Sequence, residues 1–187
     1  MILGLTGKNA AGKGETANYI RAKGFIYYSL SDIIRDEATK RGLDHSRDNL
    51  VMIGNQLRKS HAPNYLAEQI NRKIAGLRKS KPGQNFVVDS IRNPHEAAEL
   101  RKNRDFLLLG IEAPVEIRFK RMLARNRIGD AKTLDEFKKQ EERENLKSDS
   151  NQQLDATLAM SDKKIANDGT LEELHKEIDN LLKAFGK

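Results

Sequence analysis

Apolar residues along the chain fall into short continuous runs, separated by longer stretches in which they recur at helical spacing. The runs are Ile2 to Thr6, Phe25 to Tyr28, Phe86-Val87-Val88, Phe106 to Ile111 and the weaker Lys164-Ile165-Ala166. Runs without polar alternation predict strands covered on both faces, as in a parallel sheet. Helical patterns cover Gly14 to Lys23, Asp32 to Arg41, Asn49 to Arg58, Tyr65 to Leu77, His95 to Lys102, Val115 to Ala124 and Thr133 to Asn145. Ser31 is the expected N-cap of the second of these and Gly42 its stop. Thr170-Leu171-Glu172-Glu173 opens a last helix with a capping-box pattern. Strands alternating with helices predict the α/β class: a three-layer α/β/α sandwich on a five-stranded parallel sheet, with right-handed crossovers.

Composition narrows the chemistry. At 187 residues, without internal repeats or a Pro/Gly-rich linker, the chain is expected to form one domain with insertions. It has no cysteine, which excludes disulfides, thiolate metal sites and cysteine nucleophiles. The four histidines lie far apart without ligand spacing, which argues against a histidine zinc site. No apolar run approaches the ~20 residues of a membrane span. Met1-Ile2-Leu3-Gly4 leads straight into the first strand, leaving no room for a signal peptide, so a cytoplasmic protein is expected. Lys and Arg number 34 against 27 Asp and Glu, a net charge of +7. That surplus admits a solvated surface, a nucleic-acid partner or an anionic small substrate.

Gly7-Lys8-Asn9-Ala10-Ala11-Gly12-Lys13 fits G-x-x-x-x-G-K between a predicted strand and a predicted helix, the context a phosphate-binding loop requires. Its glycines let backbone N–H groups converge on phosphate oxygens at a helix N-terminus. Lys13 is expected to reach between the β- and γ-phosphates. Gly14 stands where most such loops carry a magnesium-binding Ser or Thr, and Glu15 and Thr16 follow. The donor-nucleotide site is therefore expected at Gly7, Asn9, Ala10, Ala11, Gly12, Lys13, Gly14, Glu15 and Thr16.

Asp89, at the end of the third run, lies at the sheet edge where ligands bind, and is placed to hold magnesium directly or through water. Arg92 follows three residues later and could grip a phosphate with its planar fork. Arg35, in the first turns of a helix, is expected to face an anion held near that helix's N-terminus, and Arg58 is a further candidate. Arg118, Arg121 and Arg125 recur on one helical face, with Arg127 beyond, and positioned arginines stabilise a transferred phosphoryl group. The polar stretch to Asn145, carrying Arg143, has the character of a water-excluding flap. A nucleic-acid surface would favour aromatics among its cations, and Phe119 alone lies between Arg118 and Arg127. Nucleic-acid binding is accordingly the third-ranked reading, and a nucleic-acid partner is not expected.

Together these residues resemble the P-loop nucleoside monophosphate kinases over almost the whole chain. The resemblance implies Mg-ATP on Gly7, Gly12, Lys13 and Gly14, with its adenine near Asn167, Gly169 and Thr170. It implies a nucleotide acceptor held by Arg35, Arg92 and Arg58, with Asp32 orienting it or meeting magnesium. Lys13, Arg92, Arg121, Arg125 and Arg127 would serve catalysis, and Asp89 would meet the metal. The usual Asp-Gly-Phe-Pro-Arg becomes Asp89-Ser90-Ile91-Arg92 here. Within the superfamily, Gly54 to Arg58, Asp89 to Pro94, Gln152 to Asp155 and Asn167 to Leu174 resemble an adenylate-kinase-related, dephospho-coenzyme A kinase-like branch. The kinase-like segment preceding some deoxycytidylate deaminases resembles it too. The implied layout is a core over about 1–28, 66–124 and 146–187, an acceptor-binding insertion over about 29–65 and a lid over about 125–145. The expected reaction moves the γ-phosphoryl group of ATP to a nucleoside or deoxynucleoside monophosphate, or to a dephospho-coenzyme A-like acceptor. A module that binds nucleotide without turnover is the alternative.

Overall fold

The computed structural model describes residues 1–126, 129–145 and 148–185. In chain order the elements are β1 (Ile2–Thr6), α1 (Lys13–Ala22), β2 (Ile26–Ser29), α2 (Leu30–Lys40), α3 (Arg47–Ser60), α4 (Tyr65–Ser80) and β3 (Phe86–Asp89). There follow α5 (Pro94–Leu100), β4 (Phe106–Glu112), α6 (Val115–Arg125), α7 (Leu134–Glu144), α8 (Leu154–Ala159), β5 (Lys163–Ala166) and α9 (Leu171–Ala184). The five strands form one parallel sheet in the order β2-β3-β1-β4-β5. This is the α/β sandwich expected from the runs.

Side chains alternate between two cores, one on each face of the sheet. Phe86 and Val88 join Ile2 and Leu108 under α2 to α5. Val87 joins Leu3, Leu5, Leu109 and Ile111 under α1 and α9. All five β1 residues are buried because this strand is central and covered on both sides. A third, small cluster of Met122, Ala131 and Phe137 gives α7 its own anchor to α6.

One local expectation is corrected and one element is added. Ser29, not Ser31, caps α2: its hydroxyl accepts from the Ser31 N–H at 3.2 Å, so the helix starts earlier. The helix expected over Thr133 to Asn145 is present as α7, opened by a capping box between Thr133 and Glu136. α8 was not foreseen, since six residues carry too little periodicity to register. The capping box at Thr170 and Glu173 is present as expected.

β1 lies between β3 and β4, and chain order reverses there, so the crevice at the carboxyl ends of β1 and β3 is the topological switch point. The 7–12 loop follows β1 and Asp89 closes β3. Both candidate segments therefore meet at one place.

Candidate functional site

The loop between β1 and α1 is held open by close backbone approaches. Gly12 has φ +110°, and a Cβ there would lie 2.0 Å from Asn167 Nδ2. Gly7 has φ +140°, and a Cβ would lie 2.2 Å from the Ile111 carbonyl oxygen. Only glycine meets both demands. Lys13 Nζ donates to the carbonyls of Gly7 and Lys8 at 2.6 and 2.9 Å, folding its ammonium back over the loop. Burial, then repulsion from Arg92, lower its pKa to about 8, against a pull from Asp89. Thr16 donates its hydroxyl to the Gly12 carbonyl at 3.1 Å. Glu15 lies 3.4 Å from His175. Ala10 has φ 58°, and Ala11 is buried.

Asn167, Gly169 and Thr170 gather between β5 and α9, beside this loop. Asn167 Nδ2 donates to the Ala11 carbonyl at 2.8 Å. Arg121 donates to the Asn167 carbonyl at 2.8 Å and to its Oδ1 at 3.3 Å. Arg121 thus reaches the Asn167 loop, away from its helical companions. Arg118 is buried, donating to the carbonyls of Ala113 and Asn9 at 3.0 and 3.2 Å and pairing with Glu141. It braces α7 against the phosphate loop.

On the other side of Lys13 a cavity of about 350 Å³ opens, lined by Gly7, Asn9, Lys13, Arg35, Arg92 and Arg125 among the expected residues. Arg92 makes no side-chain hydrogen bond or ion pair among the described residues. Burial pushes its pKa below the usual guanidinium value, with Glu144 and Asp89 opposing. Arg35 pairs with Asp32 at 2.6 Å on the exposed rim. Arg125 donates to Asp130 at 3.1 and 3.0 Å and to Asn9 Oδ1 at 3.1 Å. Asp89 Oδ1 accepts from the Ser90 N–H at 2.6 Å, and Ser90 itself sits at φ 66°.

Not every expected cation reaches the cavity. Arg58 does not line it: its Nε and Nη2 donate to Glu96 Oε1 at 2.9 and 2.7 Å, in a pair with side chains 2% and 0% exposed. Glu96 Oε2 accepts from the backbone N–H groups of Arg92 and Asn93 at 2.8 and 3.1 Å. Arg58 is thus bonded to the residue that holds Arg92 in place. Arg127 lies outside the described residues. Arg143 donates to the Lys139 carbonyl of its own helix at 3.3 Å.

The cavity also contains side chains that were not among the expected site residues. Arg47, the first residue of α3, donates to both oxygens of Glu144 at 2.5 and 3.0 Å and lies 3.8 Å from Asp130. Gln152 is buried on its wall. Of these, only Gln152 carried a signal, in the run Gln152 to Asp155.

A family model described as an AAA domain matches residues 3–147. A UPF0200 protein of Pyrococcus abyssi is 31% identical over 186 residues, covering 98% of this chain and 96% of that protein. The chain belongs to the UPF0200 proteins, within this AAA-domain family. TT1252 from Thermus thermophilus has the same fold, with TM-score 0.62 and 19% identity, over 98% of this chain and 97% of that one. Shikimate kinase from Aquifex aeolicus follows at TM-score 0.53 and 18% identity, over 100% and 98%. These likenesses establish a P-loop kinase fold for this UPF0200 protein. No helix among its described residues is long and apolar enough to cross a membrane.

Proposed function

We propose that this UPF0200 protein is an ATP-dependent phosphotransferase acting on a nucleoside or deoxynucleoside monophosphate. One observation carries the proposal: Lys13, folded over a loop shaped for phosphates, lines a cavity with Arg92, whose side chain makes no hydrogen bond or ion pair among the described residues. The loop N–H groups and the α1 N-terminus would bind the donor phosphates. Asn167, Gly169 and Thr170 would face its base, with Arg121 holding Asn167 in place. Arg35 and Arg92 would hold the acceptor phosphate, and Arg125 would face the transferred group. Arg58 would act through Glu96 rather than on substrate. The anionic acceptor needs no general base, so these residues orient, neutralise and exclude water.

Magnesium fits this donor set in one way. No group of three or more His, Cys, Asp or Glu side chains capable of holding a metal occurs among the described residues. Asp89 Oδ2 makes no hydrogen bond among them, Gly14 offers no hydroxyl, and the Thr16 hydroxyl is engaged. One carboxylate suits an ion that keeps waters and phosphate ligands, with Asp89 as its protein partner. Bound there, magnesium would neutralise phosphate charge. The layout that follows is a core, an acceptor-binding insertion over about 29–65 and a lid over about 125–145.

The test is ADP release from ATP across AMP, CMP, UMP, GMP, their deoxy forms and dephospho-coenzyme A. At least one acceptor should raise the rate above ATP alone, and Lys13→Ala should abolish the increment. An unchanged rate in that variant would move the site elsewhere.

A further inference from the structure

Among the described residues, three buried polar atoms on residues that line the cavity have no hydrogen-bond partner: Asn9 Nδ2, Gln152 Oε1 and Arg47 Nη1, the last with only a 3.8 Å ion pair to Asp130. Buried polar groups in folded proteins are nearly always paired, so three without a hydrogen bond on residues around one cavity point to a ligand missing there. Two of them are donors and one is an acceptor. The ligand must therefore offer acceptor atoms to Asn9 and Arg47 and a hydrogen-bond donor to Gln152.

Their placement is built. The segment carrying Gln152 is strapped to Arg92: the Gln153 N–H donates to the Arg92 carbonyl at 2.8 Å. Asn93 Nδ2 donates to the carbonyls of Asp149 and Asn151, both at 2.8 Å. Gln152, only 4% exposed, is thereby fixed beside Arg92. Arg47 enters from α3, turned by its bidentate pair with Glu144, and its Nη1 forms only a long, 3.8 Å ion pair with Asp130. Five cations, Lys13, Arg35, Arg47, Arg92 and Arg125, share the cavity with two carboxylates, Asp130 and Glu144. The wall therefore favours an anion.

We propose that Arg47 and Gln152 read the acceptor: Arg47, with Arg92, takes its anionic group, and Gln152 accepts from a donor next to that group. This rests on the phosphotransferase reading and specifies its substrate as an anionic molecule bearing a hydroxyl or amino group within reach of its charge. A molecule without that donor leaves the Gln152 oxygen buried and unpaired, which is how a polar site rejects a near-isostere.

The experiment is calorimetric titration of the mononucleotide panel and of ATP into wild type, Gln152→Leu and Arg47→Gln. The glutamine at position 47 keeps a donor for Glu144. At least one mononucleotide should bind wild type and lose about tenfold or more in affinity in each variant, the effect of one missing polar contact. ATP affinity should change by less than about twofold, since neither side chain lies on the donor side. Gln152→Leu should melt no lower than wild type, because it removes an unpaired buried atom, whereas a structural glutamine would lower the melting temperature. Unchanged mononucleotide affinity in both variants, an equal loss for ATP, or no mononucleotide binding to wild type would overturn the proposal. If the variants weaken binding as expected while wild type transfers no phosphoryl group, the kinase reading fails and the acceptor-reading pair stands.

Discussion

At Lys13 two demands conflict. Phosphate binding needs a charged ammonium, yet burial and Arg92 lower its pKa to about 8 from 10.5. A bound polyphosphate reverses that balance by placing negative charge against the ammonium. Nucleotide binding at about pH 9 should therefore take up a proton, close to none at about pH 7, where Lys13 is already charged. Calorimetry in two buffers of different ionisation heat measures the uptake, and Lys13→Met should abolish it. The sign for stability follows from the same shift. Between about 8 and 10.5 the unfolded chain holds the proton and the folded one does not, so this group's contribution to stability rises with pH there. The glycines of the loop make a second contrast at this scale. Gly12→Ala would drive a Cβ into Asn167 at φ +110° and should abolish nucleotide binding. Gly14→Ala meets nothing within 4 Å in the first turn of α1 and should keep the fold, gaining up to about 1 kcal/mol of helix propensity. Thermal melts with and without ATP separate the two outcomes.

Among the elements, α5 bears more than its seven residues suggest. Its Glu96 closes the capping box with Asn93, accepts the Arg92 N–H and neutralises Arg58 of α3. Glu96→Gln would leave a guanidinium uncompensated in the core and should cost about 3–5 kcal/mol in denaturant unfolding. Adding Arg58→Met should recover part of that loss, since a buried pair is replaced by apolar volume. Elements built from local signals were legible: the parallel strands from their unbroken apolar runs, α9 from Thr170 and Glu173, the phosphate loop from its glycine spacing. Arg58 was legible as a candidate cation for phosphate but not as a buried one, because its partner lies 38 positions away. Arg47 gave no local sign at all, since Glu144 lies 97 positions away and the two meet only when α3 and α7 face each other.

At the scale of the whole molecule, the fold brings Lys13, Arg35, Arg92 and Arg125 to one cavity and sends Arg121 to the Asn167 loop. Of a chain with net charge +7, this cavity gathers five cations and two carboxylates beside the phosphate loop. What the acceptor is was not legible, because the side chains that would read it are drawn from α2, α3, the loop after β3 and the segment before α8. Their neighbourhood exists only in the folded chain. The central claim, transfer of a phosphoryl group across this cavity, is tested most directly with ATP labelled in its γ-phosphate. The account predicts that label appears covalently on an added mononucleotide and that Lys13→Ala stops it. Label that leaves ATP only as inorganic phosphate, or does not leave at all with any acceptor of the panel, would contradict it.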